Sequence, residues 1–287
     1  MSKIADYKCN YGNSIGISID AVKDLNLEFP DAYKHWDTMI LLAKAVKKYE
    51  NGYYCELPFC HTVEGEAMGG IINFGDEHIG PRAKDYICNT AEDLLNLPEI
   101  DYSSGRIAEV LKACNHLRKE GENVVLSVSG PFTILNVLID ATSIFKIFRK
   151  SPEKMQQIFD KLQDEILRFM GHAQNAGANM ISYADSSGGI NILGPKLAEQ
   201  MVEMFTYPML KRAESILNDE TIIFLCPKTT LALIGTEKAN RCDILFSDPI
   251  SYIEGCFEAI GKAKFVGEVC IKNSKHKVSK ISKIKLI

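Results

Sequence analysis

Residues 175–195 read NAGANMISYADSSGGINILGP, and the reading of this stretch decides the fold class. Its apolar run at residues 180–184 has the length of a buried strand and is too short for a helix. The run stops at Asp185 and a Ser-Ser-Gly-Gly turn, after which Pro195 stands where a helix favours its first position. Residues 152–176 upstream and 195–217 downstream have helical period and helix-starting prolines. The local order is therefore helix, short strand, polar turn, helix.

The same alternation extends along the chain. Short apolar runs at residues 53–59, 70–74, 124–129, 180–184, 221–226, 243–247 and 264–269 are the strand candidates. Strands separated by long helices imply right-handed crossovers and a parallel sheet. The expected fold is α/β, a (β/α)8 TIM-type barrel with one strand poorly marked. Ahead of it, Trp36, Met39, Ile40, Leu42, Ala43 and Val46 fall at helical spacing behind Pro30, so residues 1–50 read as an N-terminal helical extension. No repeat or linker interrupts residues 1–287, which are expected to form a single domain. Residues 271–287 read as a basic, solvated tail, with six lysines between 272 and 285.

A formal net charge of -4 gives no general attraction to phosphate backbones, so no nucleic-acid partner is expected. The opening MSKIADYKCN lacks a signal-peptide core, and no apolar run approaches the roughly 18 residues of a membrane span. A cytoplasmic protein without membrane contact is expected. Nine cysteines without a CxxC pair read as reduced thiols, most of them buried and a few available for chemistry.

Most strand candidates end in polar or small residues: Cys60 and His61, Ser129 to Pro131, Asp185 to Gly188, Cys226 to Lys228, Ser247 to Pro249. In a barrel these points share the C-terminal face, where active sites assemble. Asp185 ends an apolar strand and would be costly to bury alone, so it faces a substrate or caps the turn after it. Glu64 and Glu66 share a face only if their segment is extended. Glu66 is the better candidate as ligand or base, and His61 beside Cys60 stands out among the six histidines. Asp248 before Pro249 reads as a helix cap, and Gly188-Gly189 lacks the frame of a phosphate loop.

The ordered phrases AEDLLNLPEID (91–101), VSGPFTIL (128–135), NAGANMISYADSSGGINILGP (175–195) and FLCPKTTLALIG (224–235) resemble the uroporphyrinogen decarboxylase superfamily over roughly residues 50–270. Within it the chain is more similar to the methylcobamide:coenzyme M and related corrinoid methyltransferases, and Val63 to Gly69 matches their glutamate-containing phrase. The arginine-rich motif by which the decarboxylases hold substrate carboxylates is missing, and Arg82 and Arg106 are poor substitutes for it.

The resemblance implies a zinc site built from an H-x-C-G phrase and a distal cysteine. Cys226 takes the cysteine of that phrase, but Phe224 and Pro227 stand where its histidine and glycine belong. Cys270 is the better distal candidate, ahead of Cys242 and Cys256, with His61 or Glu66 as third ligand. The implied activity moves a methyl group between a methylcobamide, free or on a corrinoid protein, and a small thiol or similar acceptor, with zinc assisting and Glu66, Asp185 and His61 as catalytic candidates. Two alternatives stay open: decarboxylation of a uroporphyrinogen-like tetrapyrrole, and a non-catalytic corrinoid or tetrapyrrole binder. A homodimer is the expected assembly.

Overall fold

The computed structural model describes residues 3–9, 16–273 and 275–287. The parts of the expected N-terminal extension at residues 1, 2 and 10–15, and residue 274 of the expected tail, lie outside the described residues. The chain divides into two compact units, residues 12–178 and residues 1–11 with 179–287.

In the 12–178 unit, α1 (Trp36–Tyr49) forms where the helical spacing places it, preceded by a single 3-10 turn at Asp31–Tyr33. Leu42 packs with Val22, Ala32 and Tyr33 into a small core that Leu25, Phe29 and Phe59 extend. Next come β1 (Cys55–Leu57), α2 (Val63–Ala67), β2 (Ile71–Asn73), β3 (Arg82–Asp85), α3 (Ala91–Leu95) and α4 (Gly105–Lys119). They are followed by β4 (Val124–Ser129), α5 (Pro131–Leu138), α6 (Ala141–Lys150) and α7 (Pro152–Asn175). β1 and β4 pair in parallel, Cys55 opposite Val124 and Leu57 opposite Leu126. Every residue of β4 is buried, as expected of a parallel strand covered on both faces.

Residues 70–74 do not join that parallel pair: β2 forms an antiparallel pair with β3, with a register shift between Ile71 and Ile72. A crossover helix is needed to bring strands parallel, and the short segment between β2 and β3 contains none.

The other unit continues with β5 (Met180–Ala184), α8 (Pro195–Met201), α9 (Tyr207–Ile216), β6 (Ile222–Leu225) and α10 (Pro227–Gly235). The last elements are β7 (Ala239–Ser251), α11 (Tyr252–Glu258), β8 (Phe265–Val266) and β9 (Lys277–Leu286). β5, β6 and β8 are parallel, with Tyr183 opposite Leu225 and Phe224 opposite Val266. A π-helical turn at Val202–Thr206 joins α8 to α9.

Two expectations change here. Residues 243–247 are part of β7, which pairs antiparallel with β9 and is not a further parallel strand. The lysine-rich end is β9, not a solvated tail: Ile281, Ile284 and Leu286 are buried while most of its lysines are exposed. The segment that looks like a charge run by composition thus carries its apolar residues between the lysines. The fold class is α/β with mainly parallel strands. No described helix is long and apolar enough to cross a membrane.

Candidate functional site

Two constellations sit at strand ends, one in each unit. In the 12–178 unit, the chain leaves β1 through Pro58 and reaches Cys60, His61 and Thr62 before α2 begins. Gly65 lets α2 approach α5 closely, since a Cβ there would stand 2.6 Å from the Val137 side chain. Because the phrase is helical, Glu64 and Glu66 point about 200° apart around the axis. They take different partners.

Glu66 faces Arg106, whose Nε donates to Glu66 Oε2 at 2.6 Å. The same guanidinium donates to Cys60 Sγ at 3.0 Å and to Thr62 Oγ1 at 2.7 Å, and it lies 5.2 Å over the Phe74 ring. Arg106 is only 7% exposed. Burial works against its charge, and the facing Cys60 and Glu66 more than offset that cost, so the guanidinium stays protonated. This ion pair ties the loop after β1 to the first turn of α4.

Glu64 is buried at 2% exposure and accepts the Ser129 backbone N–H at 2.6 Å and its hydroxyl at 3.1 Å. Burial pushes its carboxyl above the usual range, opposed by the Ser129 donors and by Arg106. His61 is half-buried in the same loop.

In the other unit, Cys226 directly follows β6 and precedes Pro227, the first residue of α10; its backbone N–H donates to Tyr183 O at 2.9 Å. The helix start turns the Lys228 backbone N–H toward the thiol, which with the Lys228 charge favours the thiolate. Burial outweighs both, and the nearby Cys270 and Cys9 act the same way as burial, so the Cys226 thiol is pushed up to about 11. Tyr7 joins this group: burial raises its phenol first, Cys270, Cys9 and Cys226 raise it further, and the Cys270 N–H donated to its oxygen works the other way.

Phe224, two residues before Cys226, is 1% exposed and meets Tyr252 edge-on with ring centroids 6.3 Å apart. The Tyr252 hydroxyl accepts the N–H groups of Glu268 at 2.9 Å and Val269 at 3.3 Å, which fixes the segment that presents Cys270. Asp185 lies just beyond β5 with its carboxylate folded over its own turn. A Cβ at Gly188 would stand 2.1 Å from Asp185 Oδ2, so a side chain there would displace the carboxylate from this position. Lys228 Nζ donates to Asn191 Oδ1 at 3.1 Å. Tyr7, Asp185, Gly188, Lys228 and Thr229 line a cavity of about 30 Å³.

Among the residues singled out from sequence, Cys226 and Cys270 share one cluster, and Asp185 lines the cavity beside it. His61 and Glu66 belong to the 12–178 unit, His61 in the loop with Cys60 and Glu66 in α2 just after it. Cys256 is buried in α11 with its thiol pushed up to about 12 by burial, and Cys242 lies on β7. Asp248 does not cap α11; Ser251 does, in a capping box with Glu254.

Tyr7 and Cys9 escaped the sequence reading, Glu64 was ranked behind Glu66, and Arg106 was weighed only as a carboxylate clamp. Glu64 becomes legible once residues 63–67 are read as helical, because only one of the two glutamates can then face Arg106. Nothing local marks Tyr7 or Cys9, which reach the cluster through tertiary packing. The expected zinc does not fit the donor set as it stands. Among the described residues no group of three His, Cys, Asp or Glu side chains is positioned to hold a metal ion. The ring of Phe224 packs in the core where the expected histidine would be a ligand.

The family model described as "Uroporphyrinogen decarboxylase (URO-D)" matches residues 19–270. Methylcobamide:CoM methyltransferase MtaA of Methanosarcina barkeri is 27% identical over 220 residues, 75% of this chain and 63% of that protein. A uroporphyrinogen decarboxylase of Myxococcus xanthus is 27% identical over 157 residues, 52% of this chain and 43% of that protein. A solved methyltransferase from Methanosarcina mazei superposes with a TM-score of 0.64 at 22% identity, covering 78% of this chain and 68% of its own, a likeness of fold. The chain spans less than two thirds of the length of these two sequence relatives.

Proposed function

The chain belongs to the uroporphyrinogen decarboxylase family, and on that premise we propose that it works in the cytoplasm as a corrinoid-linked methyltransferase, moving a methyl group between a methylcobamide and a thiol or similar acceptor. The observation that carries this reading is the gathering of Cys226, Cys270 and Tyr7 beside the cavity that Asp185 and Lys228 line. The similarity to a protein named as a methylcobamide:CoM methyltransferase supports it.

Transfer from a methylcobamide to a thiol forms a carbon–sulfur bond and breaks the cobalt–carbon bond. The bonding pair stays on cobalt, and the thiol proton leaves to a base. In this reading the polar groups at the ends of β5 and β6 receive the acceptor: Lys228 supplies a positive charge near the Cys226 thiol, and Asp185 is an acceptor for a proton or a polar group. His61 and Glu66 keep a lesser role, because Glu66 is already neutralised by Arg106. No step is assigned to zinc.

The decarboxylase alternative needs cationic side chains with donors to spare for carboxylates. Arg106 spends its donors on Glu66, Cys60 and Thr62. Arg82 is half-buried and bonds the Gly80 carbonyl at 3.5 Å. That arrangement weighs against a carboxylate clamp.

The test is the absorbance change of methylcobalamin mixed with the purified chain and a small thiol. Demethylation that falls at least about tenfold in Cys226→Ser, with an unchanged melting temperature, is the expected result. Binding of cobalamin without turnover in the wild type would overturn the enzymatic reading in favour of a corrinoid binder. Metal content of the wild type against Cys226→Ala/Cys270→Ala decides separately whether these thiols acquire zinc.

A further inference from the structure

β7 stands at the end of its sheet and, among the described residues, pairs with β9 alone. Residues 239–245 run in unbroken register with β9, from Ala239 opposite Leu286 to Leu245 opposite Lys280. The register shift between Leu245 and Ile250 ends that run, and Pro249 within it lacks an N–H. Just ahead of the run, Ile287 N donates to Lys238 O at 3.0 Å. Antiparallel ladders alternate hydrogen-bonded and non-hydrogen-bonded pairs. Asn240, Cys242 and Ile244 therefore turn their backbone groups to β9, while Ala239, Arg241, Asp243 and Leu245 turn theirs to the open edge.

An edge of this kind is a template for a further strand. We infer that the strand it takes is β7 of a second copy of this chain, laid antiparallel about a two-fold axis through Cys242. Such an axis makes the interface isologous, each copy offering the same patch. Cys242 is the midpoint of residues 239–245, so this axis overlaps the whole regular run. It also sets Arg241 opposite Asp243 of the second copy and Ala239 opposite its Leu245, so that outward-turned backbone groups meet their like and the ladder closes. Leu245, at 76% the most exposed large apolar side chain described, gains a neighbour there.

Charge selects both the partner and the register. The run ANRCDIL carries one Arg and one Asp, so two copies do not repel. Through Cys242 the axis pairs Arg241 with Asp243 twice; shifted by one residue it would face Arg241 with Arg241 or Asp243 with Asp243, and like charges directly opposite destabilise a sheet. Within the chain Arg241 Nε lies 3.1 Å from Glu268 Oε1, and Lys280 Nζ lies 2.6 Å from Asp243 Oδ2. The joined edges thus form a row of alternating sign: Glu268 and Arg241 of one copy, then Asp243 and Lys280 of the other. The opposite face of β7 is already used, since a Cβ on Gly255 of α11 would stand 2.9 Å from the Phe246 ring and 3.0 Å from Ile281 Cγ2. The edge is what stays open.

Sedimentation of the full chain under reductant tests this. Wild type should be dimeric at about 0.1 mM, and Arg241→Asp and Asp243→Arg should each weaken the dimer at least about tenfold, because each sets like charges opposite twice. An equimolar mixture of the two variants should recover to within about threefold of wild type, since in the mixed pair both contacts are again of opposite sign. That recovery also shows that both variants fold. Should either variant unfold, wild type alone decides: a non-hydrogen-bonded pair holds its Cα atoms about 4.5 Å apart, within disulfide reach, so copper phenanthroline should take two electrons and two protons from the two Cys242 thiols and leave a bridge that peptide mapping finds. A monomeric wild type, single variants that dimerise within twofold of it, a mixture no tighter than its components, or a dimer bridged only through other cysteines overturns the inference.

Discussion

The loop after β1 and the ends of β5, β6 and β8 both gather polar and sulfur groups, and they resolve the cost of burying them in opposite ways. Around Arg106 each group is matched: one guanidinium satisfies Glu66, Cys60 and Thr62, and Glu64 is held separately by both donors of Ser129. Around Cys226 burial wins, and the Cys226 thiol and the Tyr7 phenol are driven toward their protonated forms. A buried charge network that neutralises itself holds a loop in place. A half-buried thiol beside a helix start and a lysine has acid–base capacity that a bound substrate can draw on.

The largest effect that would sharpen this contrast is at Phe224. Phe224→Ala should cost about 3–5 kcal/mol, read as a loss of melting temperature, because the ring fills the core against Tyr252. A cost below about 1 kcal/mol would mean that the residue is not the packing replacement for a histidine. Next is Arg106→Met, which strands Glu66 and should cost about 3 kcal/mol. Adding Glu66→Met should recover more than half of that in a double-mutant cycle. Additive losses would show that the pair is not the fastening described.

The smallest effect tests Glu64. Its folded carboxyl titrates above the usual range, so the folded state binds the proton more tightly than the unfolded chain. Stability from this group is therefore present below the unfolded pKa and is lost as pH rises toward the folded value. Glu64→Gln keeps both bonds to Ser129 without the charge. It should match wild type near pH 4 and gain on it at higher pH, by up to about 1.4 kcal/mol per pH unit across that window. A constant difference between pH 4 and 8 in urea melts would remove the buried-acid assignment.

Several elements could be read directly from residue pattern. The runs at 124–129 and 180–184 are β4 and β5 because a buried parallel strand needs a continuous apolar run, and Pro131, Pro152, Pro195 and Pro227 each open a helix. The hairpins were less legible. Residues 70–74 and 243–247 carry ordinary strand composition, and composition does not tell a parallel neighbour from an antiparallel one. The lysines of residues 277–286 hid a strand because they alternate with its buried side chains.

The same division applies to the candidate site. Asp185 could be singled out because it stands at a strand end, where an α/β sheet places its chemistry regardless of distant packing, and Cys226 and Cys270 through the resemblance to the corrinoid methyltransferases. The neutralisation of Glu66, the burial of Glu64 and the arrival of Tyr7 and Cys9 beside the thiols were decided by tertiary structure alone. Periodicity and capping act over a few residues and are written into local sequence. Which charge finds a partner, and which thiol loses its water, depends on residues dozens to hundreds of positions away that only folding brings into range.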